Sequence, residues 1–191
     1  MSNKFDIYSI DQGEFFKNNR TIHLYGGIDM NSAYEVCSRL KYLDYVDSEK
    51  EITIEINSPG GEVISGMTII DTINYIKAPV RVVVCGMAAS MAAVILASIE
   101  KGRRYILPHS QVMIHQPLGG TQGQASEIVK YAQNILKTKK LVNEILAKGT
   151  GKTVEEIERD TDRDYYMDAE EAIAYGIVDQ IITTRKVGIN E

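Results

Sequence analysis

The fold is decided by residues 51–98, which read EITIEINSPGGEVISGMTIIDTINYIKAPVRVVVCGMAASMAAVILAS. The alternating EITIEI of residues 51–56 predicts a strand, and SPGG (58–61) then interrupts it. Apolar residues return at helical spacing through 62–76, and the β-branched VRVVV at 80–84 predicts the next strand. The segment AAVILAS predicts a second, buried helix. Two successive strand-to-helix units indicate an α/β architecture.

The flanking sequence continues this alternation. Upstream, Asn31 and Ser32 are predicted to cap a helix. Its apolar positions follow helical spacing and are Ala33, Val36, Cys37, Leu40 and Leu43. Downstream, QVMIH at 111–115 predicts a strand, and IVDQIIT at 177–183 predicts a last one. Two capping boxes, Thr153 with Glu156 and Asp168 with Glu171, mark the starts of two helices between them, and the second of these helices is predicted to close at Gly176.

Residues 125–147 read as one long helix that exceeds what a core requires. About 23 residues span roughly 35 Å, so part of this helix is expected to project and to meet an apolar partner on another subunit. The whole projecting region is placed at about 117–147. Four prolines and the absence of low-complexity tracts favour a single domain over residues 1–191.

Composition excludes several classes of function. The chain has 191 residues, with 21 Lys and Arg against 26 Asp and Glu, so its net charge is −5. Because no basic run is present, nucleic acid is not expected as a partner. The longest apolar stretch, Met91 to Ala97, is far shorter than the roughly 20 residues of a membrane-spanning helix. We therefore expect a cytoplasmic protein that does not enter a membrane.

Cysteines and glycine-rich loops point to no metal or cofactor. Cys37 and Cys85 form neither a disulfide framework nor a metal-ligand spacing, and both are expected to be reduced. The sequence GTGKT at 149–153 resembles the end of a phosphate-binding loop. However, Leu146 stands where that loop needs a glycine, and a helix precedes it instead of a strand. A helix C-terminal glycine followed by an N-cap is the favoured interpretation.

Ser90 is a candidate nucleophile at a strand-to-helix junction with small neighbours. It is either a simple N-cap or an activated serine whose oxyanion would meet the N–H of Met91. An activated serine needs a base, and His115, at the end of a predicted strand, suits that role better than His23 or His109. Spacing alone does not choose the carboxylate that would orient the imidazole among 26 acidic residues.

Four strings occur in one order: INSPGG (56–61), GMAASM (86–91), MIHQPLGG (113–120) and ERDTDRD (158–164). Together they resemble the proteolytic subunit of the caseinolytic Clp protease. This resemblance implies a crotonase-like fold of stacked ββα units with a projecting handle helix. It also implies a serine endopeptidase without a cofactor, in which Ser90 is the nucleophile, His115 the general base and Asp164 the orienting carboxylate. Gly61 and Met91 would supply the oxyanion hole.

The resemblance carries further implications for substrate and assembly. An extended peptide would be clasped by Gly61 to Val63 on one side and by Leu118, Gly119 and Gly120 on the other. Two stacked seven-membered rings would enclose the sites, be fed by a Clp-family ATPase and degrade unfolded polypeptides. Residues near the contact between opposite rings would be Gln124, Glu127, Asp162 and Arg163.

Two departures from the family pattern affect docking of the ATPase. Only four residues precede FDIYS at 5–9, so the axial pore loops are expected to be short or absent. Glu55 stands where the family commonly has an aromatic residue in the pocket that the ATPase plugs, and a carboxylate opposes an apolar plug. A divergent subunit that docks weakly, or that works with a second proteolytic subunit, is one hypothesis. Rival functions are a latent scaffold subunit and a crotonase-type acyl-CoA enzyme.

Overall fold

The computed structural model describes residues 19–183. The prediction about the leader before residue 5 lies outside these residues. The strands are β1 (Thr21–Tyr25), β2 (Ile52–Ser58), β3 (Val80–Ala89), β4 (Arg104–Ile106), β5 (Gln111–Ile114), β6 (Tyr165–Met167) and β7 (Gln180–Ile181). The helices are α1 (Met30–Val46), α2 (Val63–Tyr75), α3 (Met91–Ser98), α4 (Ala125–Thr150), α5 (Val154–Asp160) and α6 (Ala169–Tyr175).

The strands form one sheet in which β1, β2, β3, β4 and β7 are neighbours in that order and run parallel. Parallel strands require crossover connections, and helices α1 and α2 supply them for the first three strands. Ile52, Ile54 and Ile56 are completely buried, as the alternation in β2 predicts. The predicted α/β fold class is therefore confirmed.

Strand β3 is long enough to pair with two successive strands. Its first half, at Val82 to Val84, pairs with β4, and its second half, at Met87 to Ala89, pairs with β5 in parallel. Strand β6 then adds to β5 in antiparallel orientation. The sheet thus forks at β3. One path continues from its first half through β4 to β7, and the other, called the branch here, continues from its second half through β5 to β6.

Helix α1 begins earlier than predicted. Its N-cap is Asp29, whose side chain accepts from the Ser32 N–H, while the Ser32 hydroxyl accepts from the Asp29 N–H. Ser32 is thus the far partner of a capping box, and the prediction that Asn31 and Ser32 are the cap is wrong. Asp29 takes the role because its backbone is extended, whereas Asn31 is already helical. The five apolar positions predicted for this helix are buried.

Helix α4 continues to Thr150, three residues beyond the predicted end. It ends at Gly151, which adopts a left-handed φ of 83°, and Thr153 then caps α5. The interpretation of GTGKT as a helix C-terminus and an N-cap is therefore confirmed. The last turns are buried, with Gly149 lying so close to the Ala97 carbonyl that a Cβ would clash. The preceding residues 125–141 are mostly exposed.

In the described part of the chain, no helix has the length and apolar character needed to cross a membrane.

Two short strands, β4 and β6, were not predicted from the sequence. Strand β4 starts with Arg104, which is 1% exposed although it carries a charge. Its guanidinium donates to both carboxylate oxygens of Asp179 and, at 2.8 Å, to the Gly149 carbonyl. Strand β7 is shorter than the predicted 177–183, because Ile177 and Val178 pack into the core before the pairing with β4 begins.

The Arg104–Asp179 pair makes folding sensitive to acid. Burial alone would raise the pKa of the Asp179 carboxyl, but hydrogen bonds from Arg104 outweigh burial and hold that pKa below its ordinary value. The pair's contribution to stability is therefore present above the unfolded pKa of about 4 and is lost as pH falls through the lower folded pKa.

We predict that Asp179→Asn lowers the free energy of unfolding at neutral pH by about 3 to 5 kcal/mol, because it leaves a buried guanidinium without its counter-charge. Below pH 4 the difference from the wild type should shrink. Urea titrations at several pH values measure both effects. Lys140→Met, which removes an exposed ion pair with Glu144 at 3.9 Å, is the control and should change stability by less than about 0.5 kcal/mol.

Candidate active site

Ser90 occupies the sharp junction between β3 and α3. Its φ of 55° lies in the left-handed region, which a residue other than glycine adopts only when its surroundings hold it there. One restraint is the Ser90 N–H, which donates to the Met113 carbonyl of β5 at 2.8 Å. The Ser90 side chain makes no capping hydrogen bond, so the plain N-cap interpretation does not describe it.

The Ser90 hydroxyl instead meets His115. Ser90 Oγ lies 2.8 Å from His115 Nε2, and His115 Nδ1 lies 3.2 Å from Asp164 Oδ1. The imidazole is mostly enclosed, with 15% of its side chain exposed, whereas the Asp164 side chain is 57% exposed. The structure thus brings together the three residues suggested for the catalytic set.

Strand register explains this meeting. Ala89 pairs with Met113 in the parallel β3–β5 ladder, so Ser90 comes beside Ile114 and one residue from His115. Ile114 pairs with Tyr165 in the antiparallel β5–β6 ladder, so the next pair outward is His115 with Asp164. The end of β3 and the branch formed by β5 and β6 therefore bring all three side chains to a single edge of the sheet.

The two backbone groups suggested for the oxyanion hole flank this edge. The Met91 N–H opens helix α3, where the helix dipole favours negative charge. Gly61 forms an isolated parallel bridge with Ile28, using the Gly60 carbonyl and the Glu62 N–H. This pairing leaves the Gly61 N–H directed away from Ile28.

Close approach explains the two glycines of this loop. A Cβ on Gly60 would lie 2.6 Å from the Ser90 Cβ, and one on Gly61 would lie 2.1 Å from the Ile28 carbonyl oxygen. Ile28 was not singled out from the sequence, because its contribution is made by its backbone and depends on long-range pairing.

The residues suggested for peptide binding lie in two segments. Val63 is the half-buried first residue of α2, directly after the Gly61 loop. Leu118 is 83% exposed, and Gly119 and Gly120 are exposed beside it. A Cβ on Gly119 would touch Ile135 of α4, so this segment runs against the long helix.

The four residues suggested for contact between rings are all exposed. Gln124 and Glu127 lie at the start of α4, and Asp162 and Arg163 lie in the loop before β6. The Arg163 side chain is 94% exposed and stands 3.9 Å from the Asp162 carboxylate.

The other two histidines lie elsewhere. His23 Nε2 is 3.3 Å from Glu55 on the sheet face of β1 and β2, and His109 is in an exposed turn. Within residues 19–183, no three His, Cys, Asp or Glu side chains are grouped as metal ligands would be.

Comparison with known proteins identifies the family. The family model described as Clp protease matches residues 4–185. A curated relative, the ATP-dependent Clp protease proteolytic subunit of Ligilactobacillus salivarius (strain UCC118), is 47% identical over 182 residues. That alignment covers 95% of this chain and 90% of the relative. The mixed α/β architecture agrees with the crotonase-like fold of this family. The chain therefore belongs to the Clp protease family and is a serine-type peptidase.

Proposed function

We propose that this chain is the proteolytic subunit of an ATP-dependent Clp protease, in which Ser90, His115 and Asp164 cleave peptide bonds in unfolded polypeptides. The observation that carries the proposal is the pair of contacts at His115, 2.8 Å to Ser90 Oγ and 3.2 Å to Asp164 Oδ1. A nucleophile, a base and an orienting carboxylate in this order are the arrangement that acyl transfer to serine requires.

The chemistry follows from the positions of these groups. Ser90 Oγ attacks the scissile carbonyl carbon while His115 Nε2 takes its proton. The oxyanion that forms accepts hydrogen bonds from the N–H groups of Gly61 and Met91. His115 then gives the proton to the leaving amine, and the acyl-enzyme forms. Water, activated by the same imidazole, hydrolyses that ester and restores Ser90.

Substrate recognition is proposed to use the peptide backbone. An extended chain would pair with Gly61 to Val63 and with Leu118 to Gly120 as an added strand. Main-chain hydrogen bonds do not depend on the substrate's side chains, so the enzyme should accept many sequences. A folded protein cannot present such a strand, which is why an unfolding ATPase is the expected partner. Because that partner consumes ATP, the cytoplasm is the proposed location.

Ser90→Ala should lower kcat for a fluorogenic peptide by about 10³-fold or more, because the acyl-enzyme can no longer form. The matched control is Ser98→Ala at the opposite end of α3, where the hydroxyl donates to the Ile95 carbonyl. This variant should retain activity.

Equal activity of the Ser90→Ala variant and the wild type would contradict the proposal. Turnover of an acyl-CoA by the wild type, without peptide cleavage, would favour the crotonase-type alternative. A folded wild type that neither cleaves peptides nor turns over acyl-CoA would favour a scaffold subunit.

We further propose that the subunits assemble as two stacked seven-membered rings. The exposed half of α4 carries large apolar side chains that water does not favour, and a second subunit would bury them. These side chains are Ile128, Val129, Leu136 and Leu141. In such a particle, Gln124 and Glu127 of one ring would face Asp162 and Arg163 of the other. Because Arg163 adjoins Asp164, contact between rings would then align the catalytic set.

Arg163→Ala should separate the double ring into single rings and reduce peptidase activity about tenfold. Arg159→Ala, four residues earlier and also exposed, is the control and should do neither. Sedimentation velocity gives the particle size, and peptide hydrolysis gives the activity. Isolated rings that keep full activity would refute the coupling.

The surface proposed to dock the ATPase is a cavity of about 200 Å³ on the open face of the sheet. Its lining mixes apolar side chains with polar ones, and includes Val83, Leu107, Ile182, Thr53, Glu55, Arg81 and Cys85. The Glu55 carboxylate contacts His23 and Tyr25, each at 3.3 Å. Burial, and then the charge of Glu55, raises the pKa of the Cys85 thiol to about 11, so the cysteine stays protonated. An apolar plug would have to desolvate Glu55.

Glu55→Tyr should strengthen binding of a Clp-family ATPase about tenfold, because the plug no longer desolvates a carboxylate. Glu35→Tyr, on a surface of α1 that does not line the cavity, is the control. Co-sedimentation with the ATPase measures both. If the wild type binds the ATPase tightly and Glu55→Tyr does not change the affinity, the docking hypothesis is wrong. That hypothesis holds that the subunit docks weakly by itself or works with a second proteolytic subunit.

A further inference from the structure

Gln116 joins the loop after β5 to the loop that carries Asp164. It directly follows His115, and its backbone N–H donates to the Thr161 carbonyl at 2.8 Å. Its side-chain Nε2 donates to the Asp162 carbonyl at 3.1 Å. Together with the His115–Asp164 contact, these bonds connect the two loops at three points, namely Thr161, Asp162 and Asp164.

Asp164 depends on such restraints because its own surroundings are open. Its side chain is 57% exposed, whereas an orienting carboxylate must keep one position relative to the imidazole. Thr161, in contrast, is completely buried, and its hydroxyl bonds to the Ile157 carbonyl of α5. The segment is therefore anchored at Thr161, and the Gln116 side chain extends the anchor one residue closer to Asp164.

The remaining polar atom of the Gln116 amide contacts the long helix. Lys139 of α4 donates from Nζ to Gln116 Oε1 at 3.2 Å. Lys139 is half-buried, whereas the adjacent Lys140 is exposed and faces Glu144. A single amide thus receives a hydrogen bond from α4 and donates one to the Asp164 loop.

We propose that Gln116 is a positioning residue for the His115–Asp164 pair, and that Lys139 connects it to helix α4. The inference rests on the proposed peptidase function. A displacement of α4 would pull on the Gln116 amide, and the amide would move the Asp162 carbonyl and with it the Asp164 carboxylate. The effect on catalysis is indirect, because within residues 19–183 Gln116 makes no hydrogen bond to the nucleophile or to the proposed oxyanion hole.

Two substitutions at Gln116 separate its contacts. Gln116→Met has a similar length and loses both polar groups. Gln116→Glu keeps an acceptor for Lys139 and replaces the donor to the Asp162 carbonyl with an oxygen that repels it. Both should lower kcat for a fluorogenic peptide about tenfold with KM within about twofold, because misalignment affects the transition state more than binding.

Substitutions at position 139 test the connection to α4. Lys139→Met should lower kcat about threefold, a smaller loss because the Gln116–Asp162 bond remains. Lys139→Arg should restore activity, since a guanidinium also donates to Oε1. Lys140→Met is the matched control and should behave as the wild type. In the Gln116→Met background, Lys139→Met should cause no further loss, because the two residues act through one contact.

Sedimentation velocity and thermal melting of every variant complete the experiment. Wild-type kcat in both Gln116 variants would overturn the inference. So would a loss of kcat that only accompanies loss of assembly or of folding, because that is a structural role. If the wild type itself cleaves no peptide, the proposed function fails; if the wild type is active and both Gln116 variants equal it, only this inference fails.

Discussion

The parallel pairing of β3 with two successive strands is the constraint on which the site depends. A strand that ended after its contact with β4 would leave β5 and β6 without a place in the sheet. Because β3 continues to Ala89, it receives β5 alongside its last three residues, and β5 in turn receives β6. Strands β3 and β5 end directly before Ser90 and His115, and β6 begins directly after Asp164. A displacement of one residue in either ladder would turn the corresponding side chain to the opposite face.

The junction after β3 is held in an unfavourable conformation by its neighbours. Ser90 has a positive φ, and the β5 carbonyl of Met113 accepts from its N–H, while Gly60 lies against it with no room for a side chain. Gly60 and Glu62, on either side of Gly61, are in turn held by backbone bonds from and to Ile28. The geometry of the nucleophile is thus maintained by main-chain contacts from three separate segments. Such restraint is what allows a strained residue to persist in a stable protein.

Local patterns predicted much of this structure, and long-range pairing accounts for what they missed. The α/β class followed from residues 51–98, where periodicity alternates clearly between strand and helix. Ser90 was recognisable because it stands where a predicted strand gives way to a helix, and His115 because it ends a predicted strand. Asp164 could not be chosen by spacing, because its position is set by register in strand β6, which has only three residues and no sequence signal of its own. Only resemblance to a known family pointed to it.

Other features that the sequence did not predict also depend on long-range contacts. Arg104 is buried at the start of a three-residue strand, and its partner Asp179 lies 75 positions along the chain. Gln116 belongs to the motif MIHQPLGG, but its contacts with Asp162 and Lys139 depend on how α4 and the loop before β6 pack against it. The prediction of the α1 cap was wrong for a different reason. Asp29, Asn31 and Ser32 are all suitable capping residues, and only the backbone conformation distinguishes them.

Reaction with a fluorophosphonate probe, read by intact mass, measures whether the end of β3 and the β5–β6 branch together assemble an activated serine. We predict one adduct per chain in the wild type and no adduct in Ser90→Ala. Labelling should be slowed by orders of magnitude in His115→Ala, because the base is absent. Labelling of Ser90 at the wild-type rate in His115→Ala, or an adduct that survives Ser90→Ala, would contradict the roles assigned to Ser90 and His115.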